Sequence, residues 1–200
     1  MTHHWIQALA THWGIEAPLQ PLEGEYDLNF LAQPSLGVGC VLKVMRPDCQ
    51  PELVALQVAA LNHMSGQPMA AFYPRVIATK QGASSVYCED ADGNRRLLWL
   101  LQQLPGRSYA QSRPKTSDLV ADLGRAVGAT DLAFESFQHP ALDRDFKWNL
   151  MQALWIEPEA AASLDWRSAL DVLLAERSIA RAARYLALRS RQATWTGGTR

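Results

Sequence analysis

Cys40-Val41-Leu42-Lys43-Val44-Met45 is a β-branched, apolar run with a single charge in its middle. A run of this kind reads as a strand. An ammonium inside it is costly to bury unless an anion meets it. Upstream lies a polar, turn-forming stretch, Leu22-Glu23-Gly24-Glu25-Tyr26-Asp27-Leu28-Asn29-Phe30. Downstream, Arg46-Pro47-Asp48 closes the strand, because proline cannot continue a ladder, and Pro51 opens a helix.

Working outward, Thr2 to His12 is expected to form a short amphipathic helix, with Trp5, Ala8, Leu9 and Trp13 near helical spacing. Leu19 to Leu31 reads as strand and turn around Gly24, and Gly39 to Met45 as the lysine strand. The helix opened by Pro51 should run from Glu52 to Met64, with Leu53, Leu56, Ala60, Leu61 and Met64 on its apolar face. Two strands follow, Arg75 to Thr79 and Ser84 to Cys88. The turn Asp90-Ala91-Asp92-Gly93-Asn94 leads into another, Arg96 to Gln102. Leu104-Pro105-Gly106-Arg107 breaks the sheet, and everything beyond it reads helical. Ser117 should cap a helix over Asp118 to Leu132, whose first acid suits the helix dipole. Gln138-His139-Pro140 interrupts. Phe146 to Leu154 and Ser163 to Arg191 read as further helices. The plan is α+β: an antiparallel sheet with one packed helix over residues 1–103, an incomplete helical part over 104–191, and a tail, 192–200, that reads as disordered.

Composition narrows the function classes. Two hundred residues with 48% hydrophobic content suit one globular domain or slightly more. A net charge of −1 provides no global field for nucleic acid or an acidic membrane. Six arginines and no acid fall in residues 177–200, which leaves residues 1–176 at −7; those arginines read as a solvated helix face. Cys40, Cys49 and Cys88 have no metal-ligand spacing and form no even framework, as in a reduced, cytoplasmic protein. Met1-Thr-His-His-Trp5 is not the start of a signal peptide, and no apolar run is long enough to span a membrane.

Loop, strand, turn and strand with lysine is the order in which kinases hold nucleotide phosphates. In that reading Lys43 pairs with phosphates, and the following helix should supply an acid to orient it. Glu52, in the first turn, is the best placed; further along, the inward position is occupied by the neutral Gln57. The loop around Gly24, Tyr26, Asp27 and Asn29 has one glycine, not the three of a protein-kinase loop. Taken alone it reads equally as a polar hairpin turn.

Six stretches in order carry a resemblance. They are Gly24-Glu-Tyr-Asp-Leu-Asn-Phe30, Val41-Leu-Lys-Val44, Leu53-Val-Ala-Leu-Gln57 and Leu101-Gln-Gln-Leu-Pro-Gly-Arg107, then Leu123-Gly124 with Asp131-Leu-Ala133, and Phe137-Gln-His-Pro140 with Phe146-Lys-Trp-Asn149. The chain resembles the aminoglycoside-phosphotransferase and choline-kinase-like superfamily, most of all its hydroxylysine-kinase-like branch. The resemblance implies a protein-kinase-like fold with ATP or GTP and Mg²⁺ between two lobes, and transfer of phosphate to a hydroxyl of a small amine or amino acid. By position, Lys43 would hold phosphates with Glu52 behind it. Gly24, Tyr26, Asp27 and Asn29 would cover them, and Gln102, Gln103 and Leu104 would flank the base. Neither nucleic acid nor membrane is implied as a partner.

One departure matters. The family carries a His-Gly-Asp-x4-Asn loop and a later metal-binding aspartate, and these 200 residues contain neither. The nearest look-alike, His139-Pro-Ala-Leu-Asp143-Arg-Asp145, has its first aspartate four residues after the histidine, and no asparagine falls five beyond either aspartate. The sequence therefore reads as a truncated, weakly active or inactive form. The other readings are a non-catalytic nucleotide- or partner-binding module of kinase descent, and an unrelated α+β protein with an incidental lysine.

Overall fold

A computed structural model describes residues 2–35 and 37–144. The elements are α1 (Thr2–Trp13), β1 (Leu19–Leu22), β2 (Leu28–Ala32), β3 (Cys40–Val44), α2 (Pro51–Ser65), β4 (Val76–Ile77), β5 (Val86–Glu89), β6 (Arg95–Gln102) and α3 (Ser117–Phe134). Single 3₁₀ turns occur at Ala70–Phe72 and Pro140–Leu142. The helices expected over 146–154 and 163–191, and the tail over 192–200, lie outside the described residues. The chain divides into two compact units, and the first runs through Leu142.

β6 is the spine of a six-stranded antiparallel sheet in the order β1-β2-β3-β6-β4, with β5 also paired to β6. Its run Leu97-Leu98-Trp99-Leu100 is at most 4% exposed. An unbroken apolar run buried on both faces needs a layer on each side, and the two helices supply them. On one face, Phe30, Leu42, Val44, Leu98 and Leu100 pack with Trp5, Leu9 and Trp13 of α1. The Trp13 indole donates to the Ile77 carbonyl at 2.9 Å. Lys80 ties down the end of α1, its backbone N–H reaching the His12 carbonyl and its Nζ the Ala10 carbonyl. On the other face, Met45, Leu97 and Trp99 pack with Val54 and Val58 of α2.

Two local expectations are corrected. The buried residues of α2 are Val54, Val58 and Met64, not the row through Leu56 and Ala60. Leu53-Val-Ala-Leu-Gln-Val-Ala-Ala-Leu61 is apolar on nearly every side, so periodicity does not single out a stripe and packing on the sheet decides. The cap of α3 is Thr116, whose side chain accepts from the Leu119 N–H at 3.2 Å; Ser117 is the first helical residue. Both are good capping residues, and the extended backbone falls on the threonine. The C-terminal ends of α2 and α3 meet through His63, whose Nε2 donates to the Ala133 carbonyl at 2.7 Å, and Tyr73, beyond α2, shares a hydroxyl–hydroxyl hydrogen bond with Thr130 of α3. The three cysteines are free, and burial pushes their thiols above the ordinary range.

Candidate functional site

The cross-strand register places Lys43 directly opposite Asn29 of β2 on one side and Trp99 of β6 on the other. Residues paired across a sheet point to the same face, so Asn29, Lys43 and Trp99 form a row on the α2 side. Trp99, 2% exposed, is the floor of this row; its indole N–H donates to Met45 Sδ at 3.3 Å. The Lys43 ammonium sits 6.0 Å from the Trp99 ring centroid and donates to Asn29 Oδ1 at 2.8 Å. Among the described residues no acid forms an ion pair with Lys43. Its charge is oriented by a neutral amide and is not cancelled by any described acid.

The loop over residues 23–27 is fastened to the same row. Asn29 Nδ2 donates to the Asp27 carbonyl at 3.3 Å, and Asp27 Oδ1 accepts from the Arg46 backbone N–H at 2.8 Å. Gly24 passes so close that a Cβ there would lie 2.4 Å from both Asn29 Nδ2 and the Asp27 carbonyl oxygen. Glycine is required here by close approach, not by backbone angle. Tyr26 is 54% exposed beneath the Arg46 guanidinium, which stands 5.8 Å from its ring. A hydrogen bond and the charge of Glu25 push the Tyr26 phenol above its ordinary range, against the opposing pull of Arg46. The structure thus joins Gly24, Asp27, Asn29 and Lys43 in one network, with Tyr26 at its rim.

Glu52 is not part of that network. It is exposed in the first turn of α2 and makes no ion pair with Lys43. It lies two residues, roughly 200° around the helix, from the inward Val54. The inward stripe carries the half-buried Gln57 instead.

Gln102, Gln103 and Leu104 lie at the C-terminal end of β6, roughly 10 Å along the strand from the point opposite Lys43. The Gln102 N–H is bonded to the Arg75 carbonyl and the Gln103 N–H to the Gly39 carbonyl, each at 2.8 Å. A base edge seeking a backbone donor here is left with the Leu104 N–H, which has no backbone partner among the described residues. The Gln103 side chain lies on Gly39, where a Cβ would come within 2.0 Å of its Oε1.

Two site residues escaped the sequence reading. Trp99 was visible only as an apolar strand residue, and the Arg46 N–H has no sequence signature at all. Among the described residues no group of three or more His, Cys, Asp or Glu could hold a metal ion. No described helix is long and apolar enough to cross a membrane.

A hydroxylysine kinase from Bos taurus is 29% identical over 157 residues, covering 70% of this chain and 40% of that protein. That similarity supports a link to the aminoglycoside-phosphotransferase-like kinases. Two solved structures share the fold of these small-molecule kinases. An amicoumacin kinase in complex with AMP-PNP, Ca²⁺ and Ami superposes with a TM-score of 0.61 at 13% identity, over 81% of this chain and 54% of that one. A microcompartment-associated aminopropanol kinase gives 0.55 at 21% identity, over 76% and 47%. The sheet with α2 on its lysine face corresponds to the N-terminal lobe of a kinase-like fold. The chain spans about half the length, or less, of these relatives. No family model matches it.

Proposed function

We propose that residues 1–103 are the nucleotide-gripping lobe of a cytoplasmic small-molecule kinase. Its reaction would transfer phosphate from ATP or GTP to a hydroxyl of a small amine or amino acid of the hydroxylysine type. The observation that carries this reading is the Lys43 ammonium: half-buried, aimed by a neutral amide, and without an anionic partner among the described residues. A charge held that way is matched to an anion arriving from solution. The phosphates would lie on the Asn29–Lys43–Trp99 row under residues 24–27, with the base toward Gln102–Leu104. The relationship to hydroxylysine kinase supports the same choice.

The described residues do not fit a divalent metal by themselves, and no step is derived through one. The 200 residues also contain no His-x-Asp-x4-Asn loop to accept the hydroxyl proton.

Calorimetric titration of ATP and of GTP, with Mg²⁺, into the wild-type chain and Lys43→Ala tests the proposal. Saturable binding that the variant loses supports it. No binding by a folded wild-type chain would refute it.

A further inference from the structure

We propose that Asn29 is the positioning residue for Lys43, doing from β2 what an acid on the packed helix would otherwise do, and that it couples the lysine to the covering loop. The inference rests on the nucleotide reading above and deepens it.

Three observations converge on this one side chain. First, its amide is used at both ends: Oδ1 accepts from Lys43 Nζ at 2.8 Å, and Nδ2 donates to the Asp27 carbonyl at 3.3 Å. Asparagine presents an acceptor and a donor together on a short, neutral side chain. Aspartate would lose the donor and would cancel the lysine charge; alanine would lose both bonds. Secondly, the loop is shaped around that amide. Gly24 leaves a gap that a single Cβ would close to 2.4 Å from Nδ2. The Asp27 carboxylate reaches across to the Arg46 N–H just beyond β3, so the loop is held at both of its neighbours. Thirdly, the helix offers no competitor. Glu52 is exposed and unpaired with Lys43, and Gln57 on the inward stripe is neutral.

Chemical consequences follow. A carboxylate orienter would share the lysine charge with the incoming phosphates, whereas an amide fixes the ammonium in direction and leaves its charge whole. Because the same amide carries the loop, displacing the loop pulls on the lysine. Asn29 should therefore matter for phosphate-bearing ligands and not for the base.

The test compares ATP with adenosine, using the full chain as wild type, Asn29→Ala, Asn29→Asp and Lys43→Ala. ATP is measured by calorimetry and the weaker adenosine by ligand-observed NMR. Asn29→Ala should weaken ATP roughly tenfold, the factor expected for one lost hydrogen bond to a charged group, with adenosine binding unchanged. Asn29→Asp keeps the shape of the side chain, which protects the fold, but sets a carboxylate on the ammonium. It should weaken ATP at least as far as Asn29→Ala, again sparing adenosine. The proposal is overturned if either Asn29 variant binds ATP like wild type while Lys43→Ala loses it. It is also overturned if ATP and adenosine weaken together, since that marks a merely structural role. If the wild-type chain binds neither ligand, the nucleotide reading itself fails and takes this inference with it. That outcome is distinct, because Lys43→Ala then has nothing to lose.

Discussion

Replacing Lys43 with methionine should leave the fold about as stable as before while removing nucleotide binding. Methionine has nearly the length of lysine and no charge. The substitution gives up one hydrogen bond, Nζ to Asn29 Oδ1, between two half-buried groups. Such a bond contributes about 1 kcal/mol net. Asn29 stays accessible enough for water to take the vacated acceptor. In return the side chain lies on the α2 face between Val41 and Met45 and over Trp99. A thioether against an aromatic ring contributes roughly 0.3–1.5 kcal/mol, and an ammonium no longer has to be partly desolvated. The first two contributions sum to between about −0.7 and +0.5 kcal/mol, and the relief of desolvation offsets the lost ammonium–Trp99 contact, so the change stays within about 1 kcal/mol, or about 4 °C in Tm for a chain of this size. Urea unfolding of both proteins, with an unchanged slope as the check that the end states are comparable, measures it. If Lys43→Met destabilised the chain by about 2 kcal/mol or more, the lysine would be a structural element. The argument that its charge is kept for a ligand would then be wrong.

Other substitutions probe the supporting structure. Val58→Ala, on the buried stripe of α2, should cost about 2 kcal/mol, and Leu56→Ala under about 1 kcal/mol; the reverse order in urea unfolding would mean that the helix presents a different face. Asp90 holds the β5–β6 turn by accepting from the Asp92 and Asn94 N–H groups and by pairing with Arg96. Partial burial pushes its carboxyl up, but the bonds from Asn94 and Asp92 and the Arg96 guanidinium outweigh this, and the group sits below its ordinary 3.8. A depressed carboxyl contributes stability that is present above the unfolded-state value and lost as pH falls through the folded one. Wild type should therefore lose more stability than Asp90→Asn between pH 5 and pH 2; equal losses in urea midpoints would show that the turn does not hold this charge.

Much of the fold was legible because its signals were unambiguous. The strand over Arg96 to Gln102 is read from its apolar run after a turn, and the structure adds that Leu97-Leu98-Trp99-Leu100 is buried. Asp90-Ala-Asp-Gly-Asn94 carries its own turn chemistry, and Gly93 takes the positive φ that it supplies. Lys43 stood out as a charge in an apolar strand. What stayed hidden depends on pairing between distant segments. Nothing local to Asn29 says that it faces Lys43; that follows from the β2–β3 register. The expectation of Glu52 as partner took its place in the first turn as sufficient, but angle around the helix decides contact, and α2 is apolar on too many sides for its orientation to be read. The packing of α1 across the opposite face is likewise a tertiary outcome: its periodicity shows one buried side without saying against what.

The central claim, that the Asn29–Lys43–Trp99 row receives nucleotide phosphates, is tested most directly by an acyl-phosphate derivative of ATP. In that reagent a lysine amine beside the phosphates attacks the acyl carbon, is acylated, and releases ATP. The chain has four lysines, Lys43, Lys80, Lys115 and Lys147, so tryptic mass spectrometry resolves the site of labelling. The account predicts preferential acylation of Lys43, suppressed by excess ATP and absent in Lys43→Met. Labelling that favours the other lysines, or labelling of Lys43 that ATP does not protect, would contradict it.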